Sequence, residues 1–219
     1  MNRYATLAMV AIGLAACGNP AIKEIRDGKI EGTIVDGVSS YKGIPFAAPP
    51  VGDLRWRAPE PVVPWSGVRS ARDFAPACMQ GWLGVLLSGG RSGVSEDCLY
   101  LNVWTPTDEP DARLPVLVYI HGGAFTGGTP GIPAFDGERL AREGNIVVVT
   151  IPHRLGALGF LASPELSRET GHGSGTWGLQ DLVANAPLRP RRGKRLRLVH
   201  SRQPPPRRFP AARQGMRSR

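Results

Sequence analysis

For most of its length the chain groups apolar residues into short runs broken by turn residues, a pattern of strands more than of long helices. Lys29–Val35 and Val38–Lys42 are two such runs flanking Asp36-Gly37. A two-residue hairpin turn needs positive φ at both central positions, so Asp-Gly here predicts a hairpin. Residues 44–67 mix prolines and aromatics without a period and read as an ordered loop, and the Gly- and Ser-rich residues 79–95 as a loop tip. Leu99–Trp104 reads as a strand ended by Pro106. Val116–Ile120 is predicted as a buried strand. Ile146–Ile151, apolar without interruption, has the character of a strand covered on both faces. Between these two, Asp136–Gly144 is predicted as a short helix, with Asp136 as its N-cap and Gly144 as its stop. Strand, loop with helix, strand is the rhythm of a parallel α/β sheet. Trp177–Leu182 looks like the opening of one more helix.

The chemistry gathers where the run Val116–Ile120 stops at His121-Gly122-Gly123-Ala124. A buried strand ending in such a turn presents consecutive backbone N–H groups at the carboxyl edge of a sheet, the construction of an oxyanion hole for acyl transfer. A matching nucleophile in a Gly-x-Ser-x-Gly elbow does not occur in the 219 residues. Ser174, near His172 in a Gly-rich stretch, reads as a loop serine. Ser92 is one residue off the elbow spacing and precedes no helix, so neither is taken as a nucleophile.

The net charge of +9 is not spread along the chain. All 18 acidic residues lie at or before Asp181, against 15 basic ones there; beyond it come 12 basic residues and no acidic one. A mildly acidic globular segment therefore joins a basic, Pro-rich tail. From Ala186 on, the tail lacks the apolar clusters needed to offset its ordering entropy, which predicts disorder. At the other end, Arg3 followed by the apolar stretch Leu7–Ala16 reads as an export signal. Leu14-Ala15-Ala16-Cys17 resembles a bacterial lipobox, which makes Cys17 the lipidated residue and residues 1–16 the signal peptide; a plain signal cut after Ala16 is the alternative. Outside the cytoplasm the remaining pair, Cys78 and Cys98, suggests a disulfide over two free thiols.

Several stretches together resemble the type-B carboxylesterase/lipase family, α/β-hydrolases that include the cholinesterases. They are Gly32-Thr33-Ile34 through Tyr41-Lys42-Gly43-Ile44-Pro45-Phe46-Ala47, then Pro49-Pro50-Val51-Gly52, Leu54-Arg55-Trp56 and Glu96-Asp97-Cys98-Leu99-Tyr100-Leu101-Asn102-Val103. The His121–Phe125 loop and Arg154–Leu161 follow in the family's order. The resemblance covers residues 23–183. It implies the N-terminal part of an α/β-hydrolase fold: a β-hairpin, then a mixed, mostly parallel central sheet, truncated. It assigns the oxyanion donors to the N–H groups of Gly123 and Ala124, with Gly122 allowing the turn, and makes His121 an orienting or packing residue. It pairs Cys78 with Cys98 as the family's first disulfide, and Arg55 with Glu96 and Arg154 with Asp181 as structural ion pairs. It implies no metal and no organic cofactor. Pro152-His153 departs from the Asn-Tyr usual at that place.

The resemblance implies a carboxylic ester hydrolase working through an acyl-serine, with a small-molecule ester as substrate. It fades near Val183, where the acids cease and the arginines begin. The expectation is a reading frame shifted there, residues 184–219 as out-of-frame translation, and a chain lacking the catalytic serine, acid and histidine and hence inactive. The location expected is the bacterial cell envelope, lipid-anchored, with no nucleic acid as partner. Two alternatives are a non-catalytic cell-surface binding protein of hydrolase descent, and a basic tail that binds nucleic acid or anionic lipid.

Overall fold

The computed structural model describes residues 19–87, 93–109, 112–171 and 173–184. Cys17, Ser92, His172 and the basic tail from residue 185 onward lie outside them. The first strand, β1 (Asn19–Ile25), turns at Arg26-Asp27 into β2 (Gly28–Val35), paired antiparallel along its length. The sequence reading had no strand before Lys29, because Ala21 is buried while Ile22 is exposed and the polar residues around them hide the period. β2 returns through Asp36 (φ 47°) and Gly37 (φ 78°), both left-handed, into β3 (Val38–Pro45). That is the turn an Asp-Gly pair favours.

The path of the main sheet continues from β3 to β7 (Tyr100–Thr105), then β9 (Val147–Ile151), then β8 (Val116–Ile120). A short β4 (Val68–Ser70) pairs parallel with β2, and β5 (Ala77–Cys78) with β6 (Val94–Ser95) forms a separate two-stranded ribbon. The sheet is mixed. Its parallel pairings among the described residues are β8 with β9 and β4 with β2; the rest of the path is antiparallel, with hairpins joining β1 to β2 and β2 to β3. The β3–β7 register shifts between Tyr41 and Ile44, at Gly43 (φ 67°). Buried Asn102 pins this bulge: its Oδ1 accepts from Gly43 N–H at 3.0 Å, while its Nδ2 donates to Thr150 Oγ1 on β9 at 2.9 Å.

β8 was predicted as a buried strand, and here the structure differs. It pairs with β9 on one side only among the described residues, its first four residues are half-buried, and Ile120 is 48% exposed. Apolar composition alone does not distinguish a central strand from one at the edge of the described sheet. β9 does have buried residues on both faces, with Val148, Val149, Thr150 and Ile151 all buried.

Between β8 and β9 runs α2 (Glu138–Gly144), which packs on β3, β7 and β9. Its Ala141 is buried together with Val38, Trp104 and Val148 of the sheet. A Cβ on Gly137 would lie 2.7 Å from Val148 Cγ1 and 2.8 Å from Trp104, so glycine lets this helix start against the sheet. Asp136 is one residue further out than an N-cap, but its Oδ1 still accepts from Glu138 N–H at 3.0 Å. The stop is Asn145 in the left-handed region (φ 48°), with Gly144 the last helical residue. Asn substitutes for Gly there because it tolerates that conformation better than most side chains.

The other α-helices of the described residues are α1 (Trp82–Leu87), α3 (Gly156–Phe160), α4 (Pro164–Thr170) and α5 (Trp177–Ala184). In α4, Ser163 Oγ accepts from Leu166 N–H, Pro164 opens the helix and Gly171 (φ 73°) closes it. Ser163-Pro164 and Gly171 are the start and stop residues that such a short helix needs. No helix of the described residues is long and apolar enough to cross a membrane.

Candidate active site

At the end of β8 the backbone turns sharply through Gly123 (φ 124°), Ala124 (φ 51°) and Phe125 (φ 61°). Gly123 is required twice over. Its φ is left-handed, and a Cβ there would sit 1.8 Å from the carbonyl oxygen of Gly127. Ala124 and Phe125 hold conformations that cost non-glycine residues about 1–2 kcal/mol each. Local hydrogen bonds hold them: Thr126 and Gly127 N–H donate to Gly123 O at 3.0 and 3.2 Å, and Gly156 N–H at the start of α3 donates to Phe125 O at 2.7 Å. Among the described residues, none accepts a hydrogen bond from the N–H of Gly122, Gly123 or Ala124. Left-handed runs of this kind turn successive amides into an anion-binding concavity.

Gly122 and Gly123 line a cleft of about 670 Å³, together with Tyr119, His121, Thr126 and, from α1, Leu83. An apolar cleft bordered by unclaimed amide donors can take a carbonyl compound with its oxygen at the amides.

Beneath the loop lies His121, 5% exposed, its Nδ1 3.0 Å from Gly122 O. A carbonyl only accepts, so Nδ1 carries the hydrogen. Burial pushes the His121 pKa below its ordinary value, outweighing the Gly122 bond, and the neighbouring His153 lowers it further. With its pKa lowered it stays neutral at pH 7 and supports the loop as a hydrogen-bond donor.

Gln80 is the residue that reading the sequence missed. Its side-chain amide accepts from Gly128 N–H at 2.8 Å, and donates to Gly128 O at 3.0 Å and to Cys78 O at 3.1 Å. It clamps the far end of the loop to the segment carrying the disulfide. A lone glutamine in a Gly- and Ser-rich stretch carries no periodic or motif signal, so only the folded contact marks it.

Cys78 and Cys98 are joined by a disulfide, and both are buried with Ala47, Leu99 and Leu155. Arg55 Nε and Nη2 donate to the two carboxylate oxygens of Glu96 at 2.6 and 2.8 Å. Arg154 and Asp181 form a second, buried pair, with Arg154 Nη2 2.7 Å from Asp181 Oδ1. Asp181 also accepts from the backbone N–H of Arg154 at 2.9 Å and so fixes the turn that follows β9. Arg154 and Asp181 lie 27 positions apart in sequence and are brought together by the return of α5. Ser174 is tied into the start of α4: its Oγ donates to Ser163 O and accepts from Ser163 N–H, both at 3.0 Å, and lies 2.9 Å from Ser167 Oγ. That network gives it a structural task.

Comparison with known proteins agrees with this geometry. Fumonisin B1 esterase of Sphingopyxis macrogoltabida is 48% identical over 165 residues, which cover 74% of this chain and 30% of that protein. Para-nitrobenzyl esterase of Bacillus subtilis (strain 168) is 47% identical over 137 residues, covering 61% and 27%. Among solved structures, a thermophilic para-nitrobenzyl esterase superposes with a TM-score of 0.69 at 43% identity, over 75% of this chain and 33% of its own. A Geobacillus stearothermophilus carboxylesterase gives a TM-score of 0.67 at 40% identity over the same shares. The chain thus spans about a third of the length of these relatives. A model of the carboxylesterase family matches residues 19–185. With the α/β-hydrolase strands, the glycine turn after β8 and these likenesses agreeing, the chain belongs to the carboxylesterase family.

Proposed function

We propose that residues 121–128 are the oxyanion-stabilising part of a carboxylic ester hydrolase that acts on small-molecule esters. The observation that carries this reading is the left-handed turn Gly123-Ala124-Phe125, whose amide donors have no acceptor among the described residues, at the edge of the cleft. In this reading the substrate's ester carbonyl enters the cleft. When a serine oxygen attacks the carbonyl carbon, the π electrons move onto the carbonyl oxygen, and the N–H groups of Gly123 and Ala124 receive that charge. Each such donor contributes about 10²–10³ in kcat in a comparable site. The serine's proton passes to a histidine and from it to the departing alkoxide, and water then repeats the sequence to release the acid. The 219 residues contain no Gly-x-Ser-x-Gly, so this chain by itself is expected to supply the electrophile's cradle without turnover.

A chimera tests the assignment. Residues 19–184 of this chain would replace the corresponding part of the Bacillus para-nitrobenzyl esterase, to which the chain is 47% identical over 137 residues. The chimera should hydrolyse p-nitrophenyl acetate, and Gly123→Ala in it, whose Cβ would collide with Gly127 O and push the loop's N–H groups out of place, should lower kcat at least 100-fold, on the order of one oxyanion donor. A Gly123→Ala chimera with unchanged kcat would refute the reading. The isolated 219-residue chain should show no turnover above background. From the sequence alone we further propose export to the cell envelope with a lipid on Cys17. Palmitate labelling that survives Cys17→Ala would refute it.

A further inference from the structure

Two imidazoles lie stacked under the oxyanion loop. His121 follows β8 and His153 follows β9, and pairing of these strands in parallel brings both ends to the same side of the sheet. The rings are parallel to within 9°, with centroids 4.8 Å apart, and both residues are buried. Each Nδ1 faces a backbone carbonyl at 3.0 Å, Gly122 O for His121 and Arg154 O for His153. A carbonyl only accepts, so each Nδ1 carries a hydrogen.

His153 also meets the other end of the loop. Phe125 packs against it with ring centroids 5.9 Å apart, and Phe160 of α3 closes the cluster at 6.2 Å from His153 and 4.8 Å from Phe125. His121 and Phe125 flank Gly122-Gly123-Ala124. One ring on β9's end thus supports both feet of the arch that carries the donors. Gly128 lets the loop close over it, since a Cβ there would lie 2.5 Å from His121 Nδ1.

We infer that His153 is a positioning residue for the oxyanion loop, acting through its stack on His121 and its contact with Phe125. The inference rests on the reading of residues 122–124 as the oxyanion loop. His153 acts on His121 through charge as well as contact, since a charge on it would oppose a proton on His121 and so lowers the His121 pKa. Among the described residues packed on His153, Phe125 and Phe160 are uncharged, and Arg154, next in the chain, is paired with Asp181 of α5.

The test uses the ¹⁵N-labelled 219-residue chain, with long-range ¹H–¹⁵N spectra of the imidazoles and amide hydrogen exchange. Two variants are compared: His153→Tyr, which keeps a ring but no titrating nitrogen, and His153→Ala, which removes the ring. His153→Tyr should keep His121 as the Nδ1–H tautomer and raise its titration midpoint. His153→Ala should mix the His121 tautomers and speed exchange of the Gly128 amide about five- to tenfold, the size of one aromatic stacking contact. Amides of the β2–β3 hairpin should be unchanged in both. The inference fails if His153→Ala leaves the His121 tautomer, its midpoint and Gly128 exchange as in the parent. It also fails if His153→Tyr does as much damage as His153→Ala, or if the hairpin melts with the loop. Ester turnover is not read, so failure of the esterase assignment and failure of this one appear in separate measurements.

Discussion

Replacing Asp181 by alanine should cost about 3–5 kcal/mol, the penalty for leaving a buried charge without its partner. The side chains of Arg154 and Asp181 are 4% and 0% exposed, so water cannot take the carboxylate's place. Asp181 accepts from Arg154 N–H and Nε, both at 2.9 Å, and from Nη2 at 2.7 Å. After the substitution, among the described residues Nη2 keeps only its bond to Arg57 O at 2.9 Å, and Nη1 has no hydrogen-bond partner already. A domain of this size holds about 5–15 kcal/mol in all, so the loss is a large fraction. At roughly 2–4 °C per kcal/mol it lowers Tm by about 6–20 °C. Calorimetry and urea unfolding measure it. Arg154→Met with Asp181→Leu removes both charges and should recover most of the loss, because two apolar groups leave nothing to compensate. A loss below about 1 kcal/mol for Asp181→Ala, or a double variant no more stable than the single one, would show that the pair is not desolvated and refute the reasoning.

Reduction of Cys78–Cys98, or Cys98→Ser, should lower stability by about 3 kcal/mol, since the bond spans a sequence separation of 20 and constrains the unfolded chain; a urea midpoint unmoved by dithiothreitol would contradict this. Ser163→Ala should cost about 1 kcal/mol through loss of the Oγ cap on Leu166 N–H, seen as faster exchange of the Leu166 amide. Tyr41 and Tyr100 are pushed up to about 12, in both chiefly by burial and then by Asp108 and Asp97 respectively. Their phenolates are disfavoured in the folded state, so their contribution is complete below pH 10 and is lost as pH rises through 12. Absorbance at 295 nm should show both still protonated at pH 10.5 in the folded chain, and ordinary titration near 10 would refute it.

Features that depend on a few adjacent residues were legible in the sequence. Asp36-Gly37 specifies its hairpin because both positions must take positive φ. The apolar run before Ile151 specifies a strand, and the glycines at 122 and 123 specify the turn where the oxyanion loop begins. The family was legible for the same reason, since its motifs are local strings whose order survives in the chain. Other features depend on which elements meet. β1 and α1 carry weak local patterns and take their form from neighbours: β1 from the hydrogen-bonding edge of β2, α1 from its place beside the cleft. That β8 lies at the edge of the described sheet was beyond the reach of composition, because Val and Ile suit either position.

Within the site, the sequence by itself determined the turn and the residue types around it. Tertiary structure alone decided that Gln80 clamps the loop from 48 positions away, and that His153, in sequence only a departure from a usual tyrosine, lies stacked on His121. Backbone turns are set by the φ each residue can afford, which is a local property. Side-chain supports are set by parallel pairing of β8 with β9, which carries the residues following each strand to one side of the sheet, and no local pattern encodes that meeting.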